Sequence, residues 1–259
     1  MDTLPLRQPL KKRVIRFTNG NRAQAVLSPI DARVMDLVHA LDIPQPGALV
    51  LIAGGASQMD NHIREELSPL FTDGIAHVAA SLEALIIDGG TQAGVMALIG
   101  LGVAQQQHKP ALVGVAPAGL VTYPGKSTDK TSREAVPLDP NHSHFVLVEA
   151  DEWGGETETM YKLAQVFSQS CPSLALLING GSIAKREVLQ NVRQRRPILI
   201  IEGSGRLADD IAGMMYKKPI SPSDSELAEI LADGDLYLFR LTSSVADLER
   251  LAQRLLRKQ

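Results

Sequence analysis

The sequence predicts an α/β protein built on a doubly wound, mostly parallel sheet with helices on both faces. Three observations predict it: apolar runs of strand length recur along the chain, they are continuous rather than alternating, and stretches of helical periodicity separate them. A continuous apolar run implies a strand covered on both sides, as in a parallel sheet. The βαβα alternation supplies the helices that cover it.

The first candidate strands are RVIRF (13–17) and QAVLS (24–28), followed by ALVLIAGG, ALIIDGG, ALVGVAP, HFVLVEA, LALLING and PILIIEG. Helical spacing falls over 32–41, 61–81, 93–107, 156–170, 183–194 and 207–216. The tail has a different texture. A turn-rich link, KKPISPSDSE, precedes a short helix, the strand-like DLYLFRL and the amphipathic SSVADLERLAQRLLRK, read as closing layers of the same domain over 223–258. The competing use of the last helix is as a dimerisation element, so a homo-oligomer stays open.

Composition limits the function. A chain of 259 residues with 44% hydrophobic and 21% charged residues can bury one large core, so 1–259 is read as one domain. Its formal charge of −3 argues for no nucleic-acid partner and no anionic membrane, and any phosphate binding must be local. The single cysteine, Cys171, cannot form an internal disulfide and has no activating base nearby in sequence, which suits a buried thiol in a reducing cytoplasm. The basic N-terminus lacks the apolar stretch of a secretory signal, and no run approaches the ~20 apolar residues of a membrane span.

The chemistry concentrates where strands end. Four of them finish in glycine: Gly54-Gly55, Gly89-Gly90, Gly180-Gly181, and Gly203 with Gly205. In a parallel sheet all four lie along the carboxyl edge, where ligands of this architecture bind. There, glycine lets backbone N–H groups approach an anion and the next helix adds its dipole. Small or hydroxylated residues follow each pair, Ala56-Ser57, Thr91-Gln92 with Gly94 beyond, Ser182, and Ser204 within the last. Those hydroxyls either cap helices or donate to a phosphate. Arg206 stands in the first turn of a helix, where the dipole disfavours a cation, so a negative partner is expected: Asp209 or Asp210, or a ligand phosphate held bidentately. GSGRLA also fits the dinucleotide pattern G-x-G-x-x-G/A, but it falls late in the chain and no acid-ending strand follows it, which disfavours a standard NAD-dependent dehydrogenase.

One dense polar stretch remains, PLDPNHSHFVLVEADEWGGE (137–156). His142, His144 and Asp139 suggest a metal site, but ligands from a single turn rarely suffice. The stronger expectation is that Asn141 and His142 line the ligand edge of the sheet while His144 packs as its strand begins. Glu149, Asp151, Glu152 and Glu156 form an acidic loop around Trp153, either solvated or placed to hold ribose hydroxyls or Mg²⁺ on a diphosphate.

IAGGA, IIDGGTQAGVMALIG, VGVAP, PLDPNHSHFVLVE, LLINGG and LIIEGSGRLAD occur in an order that closely resembles the nucleotide-sensing (LSDAT) region at the cytosolic N-terminus of melastatin-type TRP channels and its stand-alone prokaryotic relatives in the SLOG superfamily. The resemblance covers about 48–215. It implies a Rossmann-like, cytoplasmic module that binds ADP-ribose or a related NAD-derived nucleotide, with Mg²⁺ an optional companion and no required cofactor, and signals to an effector protein without turnover. It assigns phosphate and ribose contacts to Gly54, Gly55, Gly89, Gly90, Thr91, Gly94, Gly203, Ser204, Gly205 and Arg206, with Asn141 and His142 lining the cleft. The DEWGGETE loop departs from the family pattern. The rival is a nucleotide hydrolase like the Lonely Guy phosphoribohydrolases of the same superfamily, with Glu187, Asp139, Glu149 or Glu156 as the acid. NGGSIAKRE only approaches their PGGxGTxxE motif, and acid–base help worth ~10²–10⁴ in rate rests on such a carboxylate.

Overall fold

A computed structural model describes residues 10–55, 60–127, 135–217 and 223–257. Its strands are β1 (Lys11–Arg16), β2 (Arg22–Ser28), β3 (Leu49–Gly54), β4 (Leu85–Asp88), β5 (Ala111–Pro117), the short β6 (Val121–Thr122) and β7 (Val136–Pro137), β8 (His144–Val148), β9 (Ser173–Ile178), β10 (Ile198–Glu202) and β11 (Leu236–Arg240). The helices are α1 (Val34–Leu41), α2 (Asn61–Pro69), α3 (Ala76–Ser81), α4 (Gly94–Gln105), α5 (Thr157–Phe167), α6 (Ser182–Arg193), α7 (Arg206–Tyr216), α8 (Ser225–Asp233) and α9 (Val245–Arg257). A π-helical segment, Leu70–Ile75, joins α2 to α3 directly after Pro69.

Nine strands form one sheet in the order β1-β2-β8-β5-β4-β3-β9-β10-β11. Every neighbouring pair is parallel except the β1–β2 hairpin. The doubly wound α/β reading therefore holds. The apolar runs are continuous because successive residues enter two different cores. Leu49, Leu51 and Ala53 of β3 face one layer with α1, α5, α6, α7 and α8. Val50 and Ile52 face the other, with α2, the π segment, α3, α4 and α9. A third cluster, centred on Phe145, fixes the hairpin to β8.

This order positions the site. From β3 the chain moves through α2 and α3 to β4 on one side, whereas β9, on the other side of β3, continues through α6 to β10. Connections leave in opposite directions between β3 and β9, the kind of switch point beyond whose carboxyl ends ligands of this architecture bind. Among the described residues, no helix is long and apolar enough to cross a membrane.

Candidate functional site

At the switch point β3 ends in Gly54, where a β-carbon would lie 2.7 Å from the Ile178 carbonyl oxygen of β9 and 3.0 Å from Cγ2 of Val95 in α4. Glycine is needed there for close approach. The contacts bring three segments together: the β3 end with the Gly55 N–H donating to the Ile178 carbonyl (3.3 Å), the Gly180-Gly181 corner of β9, and the first turn of α4. Helices α4 and α6 each begin here without a side-chain cap, from opposite faces of the sheet. The N–H groups of Gly181, Ser182 and Ile183 have no acceptor among the described residues. Two uncapped helix starts converging on one glycine corner give an electropositive rim suited to an anion.

The β10 corner is built differently. Ser204 is fully buried; its hydroxyl accepts from the Asn179 N–H (2.8 Å) and donates to the Ile201 carbonyl (2.6 Å), while Asn179 Nδ2 donates to the Ser204 carbonyl (2.9 Å). The expected phosphate donor is instead a latch between the ends of β9 and β10. The amides of Gly203 and Gly205 donate to the two carboxylate oxygens of Asp209 (2.6 and 3.1 Å), and those of Leu207 and Ala208 donate to the carbonyls of Gly180 and Asn179. The start of α7 is thus satisfied internally, and the expected open cradle at Gly203 and Gly205 is filled by the chain's own carboxylate.

That arrangement leaves Arg206 alone. It is exposed, pairs with neither Asp209 nor Asp210, and has no ion pair among the described residues. Its guanidinium lies over Gly181, with one terminal nitrogen 2.8 Å from where a β-carbon would stand. Its backbone has φ +50°, a left-handed conformation that costs a non-glycine residue of order 1 kcal/mol.

The β4 corner departs most from expectation. After Asp88 the chain folds over the sheet face: Gly90 packs against the Gly114 backbone, where its missing β-carbon would sit 2.6 Å away, and against Phe145. Gly90 therefore serves packing and lines no cleft. Gly89 is half-buried near Met96, Gln92 is exposed with its N–H bonded to the Pro137 carbonyl (2.7 Å), and Gly94 opens α4 beside the crevice. Thr91 neither caps α4, whose N-cap is Ala93, nor reaches solvent, and its hydroxyl has no partner among the described residues. Burying such a group unpaired costs about 1–3 kcal/mol. Thr91→Val should thus leave the melting temperature of the free protein equal or raise it, measured by calorimetry; a marked loss would show a hydrogen bond at this hydroxyl.

Residues 138–143 run back across the same face, so Asn141 arrives at the amino end of β8, where its side-chain oxygen accepts from Asn21 (3.2 Å). Neither Asn141 nor His142 lines the ligand edge. His142 is sealed in the core: Nε2 lies 2.8 Å from Asp88 Oδ1, Nδ1 lies 3.1 Å from Asp139 Oδ1, and its ring stacks on Phe145. Burial alone would lower its pKa; the carboxylates of Asp88 and Asp139 outweigh that and lift it to about 9. A β-carbon on Gly100 of α4 would strike the Asp139 carboxylate. His144 bonds Ser143 as its strand begins, and burial lowers its pKa. No group of residues that could hold a metal occurs among the described residues. Cys171 is half-buried, with its thiol pKa raised by burial. Ala56, expected at the β3 corner, and Ser57 lie outside the described residues.

On the α5–α6 side, two acids converge. Glu156 is buried at the start of α5 and accepts from the Gly154 N–H (2.8 Å); burial raises its pKa. Glu187 of α6 is pushed up to about 8, by burial first and then by Glu156 and Asp88, with Arg186 opposing. Of the acidic loop, Asp151 and Glu152 are exposed.

The fold and these corners define a doubly wound domain whose switch point brings two uncapped helix starts to one glycine corner. The chain belongs to the family described as SLOG in TRPM, prokaryote, which matches residues 47–249. It is 28% identical over 214 residues to a transient receptor potential channel of Caenorhabditis elegans, covering 70% of this chain and 10% of the channel. It is also similar to a subfamily M member-like 2 channel of Nematostella vectensis (28% over 210 residues, 68% of this chain, 13% of the channel). The third similarity is to transient receptor potential cation channel subfamily M member 2 of Mus musculus (26% over 223 residues, 73% and 14%). The chain thus spans only a small part of these relatives' length.

Proposed function

We propose that the switch-point crevice binds ADP-ribose or a related NAD-derived nucleotide and that the protein works as a sensor, passing occupancy to a partner without consuming the ligand. The observation that carries this reading is the convergence of the α4 and α6 starts on Gly54, with the unpaired Arg206 guanidinium over Gly181. A diphosphate is the ligand group that matches two adjacent helix starts and one bidentate cation. Relative to the sequence expectation, the cradle moves from the Gly203–Gly205 turn to the start of α6. Membership of a family related to the channels' N-terminal region supports a nucleotide-related module.

The test is thermal shift with ADP-ribose, cyclic ADP-ribose, NAD and AMP, since a ligand at 100 times its Kd stabilises the fold by roughly 2.7 kcal/mol. No shift with any of the four would refute the reading. One observation favours the hydrolase as a second reading: Glu187 is a neutral acid at neutral pH, as a general acid must be. Chromatographic recovery of intact ligand after incubation separates the two.

A further inference from the structure

A polar groove of about 510 Å³ runs between α5 and α6, a size at which small-molecule sites occur. The buried residues lining it are Gly154, Thr157, Tyr161 and Leu189. The charged side chains along it are paired, with one exception. Glu158 binds Lys162 (2.6 Å), Glu226 binds Lys185 (2.7 Å) and Arg193 binds Glu229 (2.7 Å). Arg186 has no ion pair among the described residues. Its charge is felt by the buried Glu156 and Glu187, but burial raises the pKa of both, that of Glu187 to about 8, so neither is a full counter-charge. The Arg186 guanidinium is laid against the entry to α5, where one terminal nitrogen is 2.4 Å from where a β-carbon on residue 154 would stand. Gly154 has φ +91°, so glycine serves both the turn and the room for the guanidinium. At the same end of the groove Thr157, the first residue of α5, is 7% exposed and its hydroxyl has no partner among the described residues. A buried hydroxyl without a partner is costly, so natural proteins rarely leave one idle.

We propose that this groove is a second binding site, for a small polar molecule whose oxyanion group, a phosphate or a carboxylate, is held by the Arg186 fork and the Thr157 hydroxyl. A guanidinium offers parallel N–H donors to either group, and a threonine hydroxyl supplies one donor more. The start of α5, which has no side-chain cap, adds its dipole in the same sense. A cationic ligand would leave the one unmatched charge of the groove unmatched. Further along, Gln165 of α5 and Gln190 of α6 also line the groove, and their side chains make no hydrogen bond among the described residues. They suit hydroxyl or amide groups on the body of the ligand, about 12 Å from Thr157 along α5 at the rise of a helix. The groove is separate from the switch point. None of Gly54, Gly55, Gly181 and Arg206 lines it, and the Arg206 guanidinium lies over Gly181 whereas that of Arg186 lies over Gly154. The proposal therefore stands whether or not the switch point takes a nucleotide.

The experiment is isothermal titration of the full chain at neutral pH with inorganic phosphate and, separately, with acetate. Arg206→Ala is the starting protein, so that an anion at the switch point does not contribute. At least one of the two anions should bind to a single site, and the stronger of them tells whether the natural ligand carries a phosphate or a carboxylate. Adding Arg186→Gln should weaken that binding at least about tenfold, as expected for the loss of a charge-assisted contact, with Arg186→Lys in between. Adding Thr157→Val instead should weaken it about threefold or more, the scale of one neutral hydrogen bond. Neither change should lower the melting temperature, because Arg186 is exposed and unpaired and the Thr157 hydroxyl bonds nothing in the free protein among the described residues. Lost binding is then not lost folding. No binding of either anion to the Arg206→Ala protein, or binding undiminished by Arg186→Gln or by Thr157→Val, overturns the proposal. A failure of ADP-ribose to bind would leave it standing.

Discussion

Replacing His142 by alanine should lower the melting temperature by roughly 10 °C, since breaking a buried ion pair costs about 3–5 kcal/mol and each kcal/mol shifts a domain of this size by about 2–4 °C. The ring stands between Asp88 and Asp139 with no access to solvent, so its loss leaves two carboxylates facing each other under α4. The same arrangement fixes a pH dependence. His142 is held at about 9 in the folded protein, above the 6.5 of an ordinary histidine. Its contribution is therefore complete below about pH 6.5 and is lost as pH rises through about 9. Glu187 adds to this fall: it keeps its proton in the folded state up to about 8, and the unfolded chain has already released it. Denaturant titrations at pH 6 and pH 9.5 on a Glu187→Gln background, compared with the same background carrying His142→Ala, isolate the histidine. Equal stability at the two values would show that His142 is neutral in the fold.

The strands were legible because fully covered strands must be apolar on both sides, and the runs from ALVLIAGG to PILIIEG were. Helices α4 and α6 were legible from periodicity, to within one or two residues at their starts. The glycine pairs correctly marked strand ends, but a strand-end glycine has two physical causes, and the sequence does not say which acts. Gly54 and Gly181 stand beside the crevice, whereas Gly90 makes room for Gly114 and Phe145 on the sheet face. That difference depends on contacts 24 and more residues away. An aspartate closing an apolar strand makes Asp88 a visible oddity in the sequence, but its partner His142 is 54 positions distant. Spacing in the sequence offers Asp209 as a partner for Arg206. The turn geometry that aims it at the Gly203 and Gly205 amides depends on positive φ at both glycines, which residue types alone permit but do not require.

Arg206→Ala should weaken ADP-ribose binding by about 10- to 100-fold, the equivalent of one lost charge-assisted contact of about 1.5–3 kcal/mol. The stability of the free protein should stay unchanged, because the side chain is exposed and no ion pair holds it among the described residues. Arg206→Lys keeps the charge and loses the planar fork, so an intermediate affinity is expected if the phosphate is held bidentately. Arg206→Gly separates the backbone from the side chain. Glycine adopts φ +50° without penalty, so this variant should match or exceed the native melting temperature while binding as weakly as alanine. Strain relieved together with affinity lost is the signature of a conformation kept for a ligand rather than for the fold. The guanidinium would be excluded from the site if calorimetry gave Arg206→Ala the native affinity. Should Arg206→Gly instead melt well below native, the left-handed start of α7 would be a requirement of packing, and the guanidinium would lie over Gly181 as a consequence of the turn.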